Sequence, residues 1–190
     1  MNYMLHVLIP GLWMLWLAYW IVAARATNET RRRESALSRL SHYTPLIAGG
    51  VFVGTPEILG QAMEQRFHEP TFALQLLTVV LVIVGLGFSA WGRAWLGRNW
   101  SAEVTVKHNH ELVRGGPYAL VRHPIYTGLL LAFIGTALGV GNGRALVGLA
   151  LLIAALLRRV AIEERFMSEQ FGKAYARYRA KVPALIPFVI

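Results

Sequence analysis

Two clusters of polar side chains carry residue types that can bind a small ligand. In the first cluster, Tyr118 and Tyr126 flank the step Arg122-His123-Pro124, and either tyrosine ring could stack on a planar molecule. The residue before a proline avoids helical angles and proline suits the first helical position, so a helix is predicted to begin at Pro124. The exposed amides of such a helix start favour an anion. The alternative is a polar loop that only caps a membrane helix, with Arg122 on lipid phosphate.

The second cluster combines a cation with two carboxylates, Arg159 with Glu163 and Glu164. Arg159 and Glu163 lie four positions apart, so a helix presents them on one face. If this face lies at the membrane boundary, the pair is placed where the charged head of an amphiphile would bind. The alternative is a solvated ion pair at a helix end, worth roughly a few tenths of a kcal/mol.

Apolar stretches must position these clusters, and two of them are long enough to cross a bilayer. Residues 4–24 and 72–92 contain no charged side chain, and each reaches the ~20 residues that a transmembrane helix needs. Residues 46–63 are predicted as a third membrane helix, although Pro56 and Glu57 are unfavourable at membrane depth.

Residues 125–157 are too long for one ordinary span, and Arg144 is their only charged residue. The glycine-rich segment 139–143 predicts a turn in the middle, and hence a tight helical hairpin. Each arm has about 15 apolar residues, or ~22 Å of helix, against ~30 Å of hydrocarbon. The second arm must therefore continue as a helix through residues 158–164, which brings the second cluster to the membrane boundary.

Three shorter sequence features predict close helix contacts and the structure of the last part of the chain. The spacing of Gly50 with Gly54, and of Gly135 with Gly139, predicts places where helix backbones approach closely. Residues 173–181 are predicted as a short basic amphipathic helix. The proline-interrupted end of the chain is predicted to be extended.

Composition and charge favour an all-α integral membrane protein. Of 190 residues, 55% are hydrophobic and 15% charged, and the formal net charge is +9. Arginine-rich loops flank the apolar stretches, so the positive-inside rule predicts about five spans, with the N-terminus outside and the C-terminus in the cytoplasm. Residues 1–92 would supply three spans, and residues 93–190 would contain the hairpin and both polar clusters.

Several classes of site and partner are excluded or not expected. The chain has no cysteine, which excludes disulfides and Cys-ligated metals. His108 and His110 alternate without an obvious third ligand, so no metal site is expected. Because topology accounts for the positive charge, no nucleic-acid partner is expected either.

The second half of the chain carries a series of motifs. They are His110-Glu-Leu-Val113, Gly116-Pro-Tyr118, Arg122-His-Pro-Ile-Tyr126, Arg159 with Glu163-Glu164, Phe171-Gly-Lys-Ala-Tyr175-Ala-Arg-Tyr178, and Val182-Pro with Pro187-Phe188. Together they resemble the isoprenylcysteine carboxyl methyltransferase family, over residues 99–190. Related phospholipid methyltransferases share part of this pattern, as do membrane sterol reductases to a lesser degree. The resemblance implies a small, prokaryote-type enzyme of the inner membrane that uses S-adenosylmethionine, with its active site facing the cytoplasm. Residues 93–190 would then be its cofactor-binding and catalytic region.

The resemblance also implies roles for individual residues. The implied cofactor contacts are His110, Glu111, Leu112, Val113, Tyr118, His123, Pro124, Ile125 and Tyr126. Arg159 and Glu163 are implied to face the methyl acceptor. Family members with a prenylcysteine substrate can have Gln seven residues before the first motif, whereas this chain has Glu103, so that contact is not carried over.

The chemistry of methyl transfer suits these residue types. A one-step displacement needs in-line geometry and a desolvated nucleophile more than acid–base help. A carboxylate acceptor is already ionised, and Arg159 could hold it bidentately. An amine acceptor would first lose a proton, with Glu163 or Glu164 as the base. The expected function is methylation of a lipid-like acceptor, and the acceptor expected before all others is the carboxylate of an isoprenylcysteine-type substrate. Phospholipid (ethanolamine) N-methylation, a sterol reductase-like activity and a non-enzymatic membrane protein are the alternatives.

Overall fold

The structure, a computed structural model, describes residues 7–24, 30–33, 35–97, 100, 105–107 and 112–187. This part of the chain contains the helices α1 (Ile9–Ala23), α2 (Ala36–Gly54), α3 (Phe72–Leu96), α4 (Pro124–Val140), α5 (Gly143–Phe171) and α6 (Lys173–Arg179). It also contains two strands, β1 (Thr30–Arg33) and β2 (Thr105–Lys107), which pair antiparallel. The all-α prediction therefore missed one short ribbon. This ribbon joins the α1–α2 connection to the α3–α4 connection, so both connections lie at the same end of the molecule.

The predicted helical hairpin is present as α4 and α5. Helix α4 begins at Pro124, as the sequence predicts, and the turn follows at Gly141, whose φ of 63° is left-handed and suits glycine. The Asn142 side chain then caps α5 by accepting from the amide of Ala145 at 3.0 Å. Helix α5 continues past the second polar cluster to Phe171. The expected continuation of the second arm is therefore confirmed.

The helix predicted at residues 46–63 is displaced towards the N-terminus. Helix α2 begins after Ser35, whose hydroxyl accepts from the Ser38 amide at 3.2 Å and so provides an N-cap that the apolar count did not weigh. It ends at Gly54, so Pro56 and Glu57 lie in the loop that follows and are not part of a helix. The start of α2 was predicted wrongly because the first half of the helix is polar and the prediction relied on apolar residues.

Close glycine contacts set the spacing between the helices around the hairpin. Helix α3 runs along α4, where a Cβ on Gly85 would lie 2.5 Å from the carbonyl oxygen of Gly128. Helix α2 runs along α5, where a Cβ on Gly49 would lie 2.8 Å from the carbonyl oxygen of Gly148. A larger residue at these positions would separate the backbones, so the glycines fix the register of each helix pair.

The glycine contacts predicted from sequence are partly wrong. No described atom lies within 4 Å of a Cβ built on Gly50 or Gly54, because the neighbouring Gly49 faces α5 instead. One residue turns the helix by about 100°, so a spacing pattern does not settle which glycine meets a partner. Gly135 does make a close contact, since its Cβ would lie 2.8 Å from that of Leu81 on α3.

Apolar side chains cover the outside of the helices. Helices α3 and α5 are, among those described, the ones long and apolar enough to cross a membrane, and α1 and α4 are shorter apolar helices. Helix α1 packs on α4, where the Trp13 indole donates to the Thr136 hydroxyl at 3.1 Å and its ring stacks on Phe133. Its other face exposes Met14 and Leu15. The number of five spans stays a prediction.

Candidate active site

The hairpin brings the two polar clusters together, because the start of α4 lies beside the last third of α5. Tyr126 stands in the first turn of α4, and it packs in one buried group with Leu156 and Val160 of α5. Arg159 and Glu163 lie on the same side of α5 as these two residues. Residues far apart in the sequence therefore form one site at one end of the hairpin.

Glu163 is the centre of the first half of this site. Its carboxylate accepts a short hydrogen bond from the Tyr126 hydroxyl, and that hydroxyl accepts from Nε of Arg159 at 2.6 Å. Nδ1 of His123 lies 3.5 Å from Oε2 of Glu163. The side chains of Arg159 and Glu163 are only 13% and 24% exposed. The alternative of a solvated ion pair at a helix end is therefore wrong, because the pair is enclosed and tied to α4.

Glu164 is the centre of the second half. Its Oε1 accepts from Nε2 of His123 at 2.8 Å, from Nε of Arg122 at 2.8 Å and from the Tyr175 hydroxyl at 2.7 Å. Consecutive carboxylates on one helix thus hold the two nitrogens of a single imidazole ring. Glu164 also links α5 to α6, which carries Tyr175.

The last described segment of the chain lies across the start of α4. The amides of Arg122 and His123 donate to the carbonyl oxygens of Pro183 and Ala184 at 2.8 and 3.1 Å. The Thr127 hydroxyl donates to the carbonyl oxygen of Leu185 at 2.6 Å. The amides just before the helix are therefore already paired with this segment, and the anion expected at the helix start stays a prediction.

The charge state of His123 follows from its two carboxylate partners. Burial by itself lowers the pKa of His123, but the hydrogen bonds to Glu163 and Glu164 outweigh it and raise the pKa above its ordinary value of 6.5. The ring is 6% exposed. The His123 ring thus lies between two carboxylates, in a network that also contains the guanidinium groups of Arg122 and Arg159.

Two further tyrosines keep their protons and act as donors. Burial raises the pKa of Tyr178 to about 12, and its hydroxyl donates to the Tyr118 carbonyl oxygen at 2.6 Å. Burial also raises the pKa of Tyr118, whose hydroxyl points towards the carbonyl oxygen of Gly92 at 3.5 Å. Tyr118 therefore faces α3 and supports the loop, and its ring is not exposed for stacking.

The residues expected from the sequence are distributed as follows. His123 and Tyr126, expected at the cofactor, share one network with Arg159 and Glu163, expected at the acceptor. Pro124 is buried, whereas Ile125, Leu112 and Val113 are half-buried. His110 and Glu111 lie outside the described residues.

Some residues of the site could not be identified beforehand. Nothing in the sequence pointed to Tyr43 of α2, whose ring centroid lies 5.8 Å from the guanidinium carbon of Arg159 and which hydrogen-bonds the same side chain. The Tyr126 ring lies at 5.7 Å from that carbon. Tyr175 belongs to one of the sequence motifs, but only the folded structure shows that its hydroxyl donates to Glu164.

Comparison with known proteins finds similarity to methyltransferases. The model of the family described as "Phospholipid methyltransferase" matches residues 74–174. Protein-S-isoprenylcysteine O-methyltransferase of Schizosaccharomyces pombe is 32% identical over 63% of this chain and 55% of its own length. Protein-S-isoprenylcysteine O-methyltransferase A of Arabidopsis thaliana is 29% identical over 71% of this chain and 68% of its own.

A solved structure has a similar fold. The eukaryotic intramembrane Ras methyltransferase, an isoprenylcysteine carboxyl methyltransferase, superposes with a TM-score of 0.53 at 25% identity. The superposition covers 79% of this chain and 63% of that protein. The chain thus spans little more than half the length of the fission yeast relative and under two thirds of the solved structure.

Proposed function

The chain belongs to the phospholipid methyltransferase family of membrane proteins, together with its isoprenylcysteine O-methyltransferase relatives, and on this premise we propose that it methylates the carboxylate of an isoprenylcysteine-type lipid. The methyl donor in this proposal is S-adenosylmethionine. The observation that carries the proposal is the enclosed network of Arg159, Tyr126 and Glu163, which sits at the end of two apolar helices.

The described donor set fits S-adenosylmethionine. When bound, this cofactor supplies a methyl group on a cationic sulfonium, which favours a carboxylate and an aromatic ring nearby. Glu163 and Tyr126 offer both, and Glu163 is partly accessible. In this proposal His110, Glu111, Leu112 and Val113 are further cofactor contacts, as the resemblance implies.

Arg159 is proposed to hold the acceptor. A guanidinium fork matches a carboxylate, and such charge-assisted pairs fix orientation as well as position. Tyr126 and Glu163 hold Nε of Arg159 in place, so the orientation of the side chain is set before any acceptor binds. The Arg159 side chain is only 13% exposed, so little water competes with the acceptor for the guanidinium.

The site is proposed to face the cytoplasm of a prokaryotic inner membrane. A soluble cofactor must reach it from the aqueous side, and a lipid-like acceptor from the bilayer. The antiparallel ribbon supports this orientation, because it places the arginine-rich connection after α1 at the same end as the segment before α4.

Phospholipid N-methylation remains the second candidate, and the description of the matched family favours it. An ethanolamine head would present an ammonium group that must lose a proton before it attacks. Glu163 would then serve as the base. The two candidates therefore assign different roles to the same cluster.

The experiment supplies purified protein with isotope-labelled S-adenosylmethionine and either S-farnesylcysteine or phosphatidylethanolamine. We expect transfer to farnesylcysteine, and a loss of about 30- to 1000-fold in rate for Arg159→Ala, equivalent to ~2–4 kcal/mol. Arg158→Ala is the matched control, because Arg158 is the neighbouring cation and donates to Ser41 instead. We expect it to keep most of the activity.

The outcomes separate the candidates. Transfer to phosphatidylethanolamine alone would replace the carboxylate acceptor with an amine while keeping the methyl donor. Equal activity of Arg159→Ala and Arg158→Ala would remove Arg159 from the acceptor site. No cofactor binding in calorimetry would contradict the methyltransferase proposal itself.

A further inference from the structure

A cavity of about 790 Å³ lies at the end of the hairpin opposite to the His123–Glu163 site. Helices α1, α2, α4 and α5 surround it, and its size is within the ~300–1,000 Å³ typical of ligand pockets. Its walls are largely apolar, with Trp13, Val53, Phe133 and Leu152 among them. Its polar lining is concentrated at one end, around Arg66 and Arg144.

Hydrogen bonds connect the residues at the polar end of the cavity. The Phe67 amide donates to the carbonyl oxygen of Gly141 at 2.9 Å, which docks the α2–α3 loop on the hairpin turn. Glu64 accepts from Nε of Arg144 at 2.7 Å and from the Asn142 amide group at 3.0 Å. The side chain of Arg144 is only 6% exposed. These contacts join the polar groups into a rim above the apolar walls.

The charged side chains that line the cavity at this rim have a net positive charge. Its lining includes Arg66 and Arg144 but only one carboxylate, Glu64, which pairs with Arg144. Arg66 therefore carries the excess charge. Its Nη2 donates to the carbonyl oxygen of Gly139 at 2.9 Å, which holds the guanidinium at the cavity mouth. A phosphate is the complementary group for a guanidinium in this position.

The apolar part of the cavity opens at an exposed apolar face of α2. Gly50 and Gly54 line it and are exposed, and no described atom lies within 4 Å of a Cβ built on either. On the same side of α2, Ile47 and Val51 are exposed apolar residues. A hydrocarbon chain can therefore enter from the bilayer between α1 and α2.

We propose that this cavity is a binding site for an anionic phospholipid of the bilayer. The phosphate would bind at Arg66, and an acyl chain would run inwards past Trp13 to Phe133. This lipid is distinct from the methyl acceptor. Arg144 at the polar end and Arg159 of the active site are 15 residues apart on α5, or ~22 Å along the helix. One head group cannot reach both.

The test fills the cavity without disturbing the packing. Gly50→Leu and Gly54→Leu place a side chain in open space, and Gly87→Leu on α3 is the matched control, since Gly87 is equally open but does not line the cavity. Leucine is also the better helix former, so the helices should not be weakened. Native mass spectrometry and melting temperature are measured with added phosphatidylglycerol or phosphatidylcholine.

We expect the parent and Gly87→Leu to retain one phosphatidylglycerol and to melt higher in its presence. The two cavity variants should bind it at least tenfold more weakly. Arg66→Gln should remove the preference for phosphatidylglycerol over phosphatidylcholine, whereas Arg165→Gln, an exposed cation on α5, should not.

Two results would overturn the assignment. Unchanged lipid retention in both cavity variants would show that the cavity does not hold the lipid. A rise in the KM for farnesylcysteine, with phosphatidylglycerol binding intact, would make the cavity a site for the acceptor's tail. Neither readout for phosphatidylglycerol requires methyl transfer, so a failure of the proposed enzyme activity would leave this test valid.

Discussion

Replacing Glu164 by alanine should destabilise the protein more than any exposed charge substitution on α5. The carboxylate accepts hydrogen bonds from His123, Arg122 and Tyr175 within 2.7–2.8 Å, and its side chain is 13% exposed. It joins the loop before α4, helix α5 and helix α6. Its removal would leave Arg122 and His123 without their shared acceptor and would remove the hydrogen bond that ties Tyr175 of α6 to the site.

The magnitude follows from these contacts. Removing one partner of a buried ion pair costs about 3–5 kcal/mol, and a single hydrogen bond to a charged group contributes about 1.5–3 kcal/mol. The loss in the free energy of unfolding is smaller here because other contacts remain. His123 still contacts Glu163, and Arg122 still donates to the carbonyl oxygens of Arg179 and Val182. We therefore expect about 2–4 kcal/mol, or roughly 5–15 °C in melting temperature for a chain of this size.

The assay is thermal unfolding in one detergent, followed by the fluorescence of the six tryptophans. Glu169→Ala is the matched control on the same helix. Glu169 pairs with Arg165 at 3.9 Å, and these side chains are 46% and 66% exposed, so its removal should cost well under ~1 kcal/mol. Glu164→Gln keeps an acceptor oxygen but loses the charge, so its melting temperature should lie between those of Glu164→Ala and Glu169→Ala.

Equal melting temperatures for Glu164→Ala and Glu169→Ala would refute this reasoning. That result would mean that solvation offsets the loss of the network, and that α6 does not depend on Glu164. A large loss in Glu164→Gln equal to that of alanine would instead show that the charge carries the whole effect.

Four further outcomes are expected. The folded-state pKa of His123 is raised, so its contribution to stability is complete below pH ~6.5 and is lost as the pH rises through the raised value; melting curves at increasing pH should fall less in His123→Gln. His123→Ala and Tyr126→Ala should each weaken S-adenosylmethionine binding strongly in calorimetry, and parental affinity in both would place the cofactor elsewhere. Tyr43→Phe should raise the KM for the acceptor with little change in cofactor affinity, because Tyr43 hydrogen-bonds Arg159; an unchanged KM would leave Tyr43 a packing residue. Arg31→Cys, in a chain without native cysteine, should be labelled only from the cytoplasmic side, and labelling from outside alone would reverse the topology.

Local rules were enough to predict much of the hairpin. The start of α4 at Pro124 follows from the proline ring, and the turn at Gly141 follows from a backbone angle that suits glycine. The extension of α5 followed from a length argument, because fifteen apolar residues do not cross a bilayer. Helix α2 was misplaced because its first half is polar and its start depends on the cap at Ser35.

The sequence by itself determined the apolar helices α1 and α3, the hairpin and the residue types of the candidate site. These depend on apolar length, on proline and glycine geometry, and on motifs whose members are close in the chain. Only the tertiary structure decided that Gly49 meets α5 while Gly50 opens on a cavity, since a rotation of one residue reverses the two. It also decided that Glu164 joins three elements and that Tyr43 reaches Arg159. Contacts of this kind depend on the rotation and register of whole helices, which packing against distant parts of the chain sets.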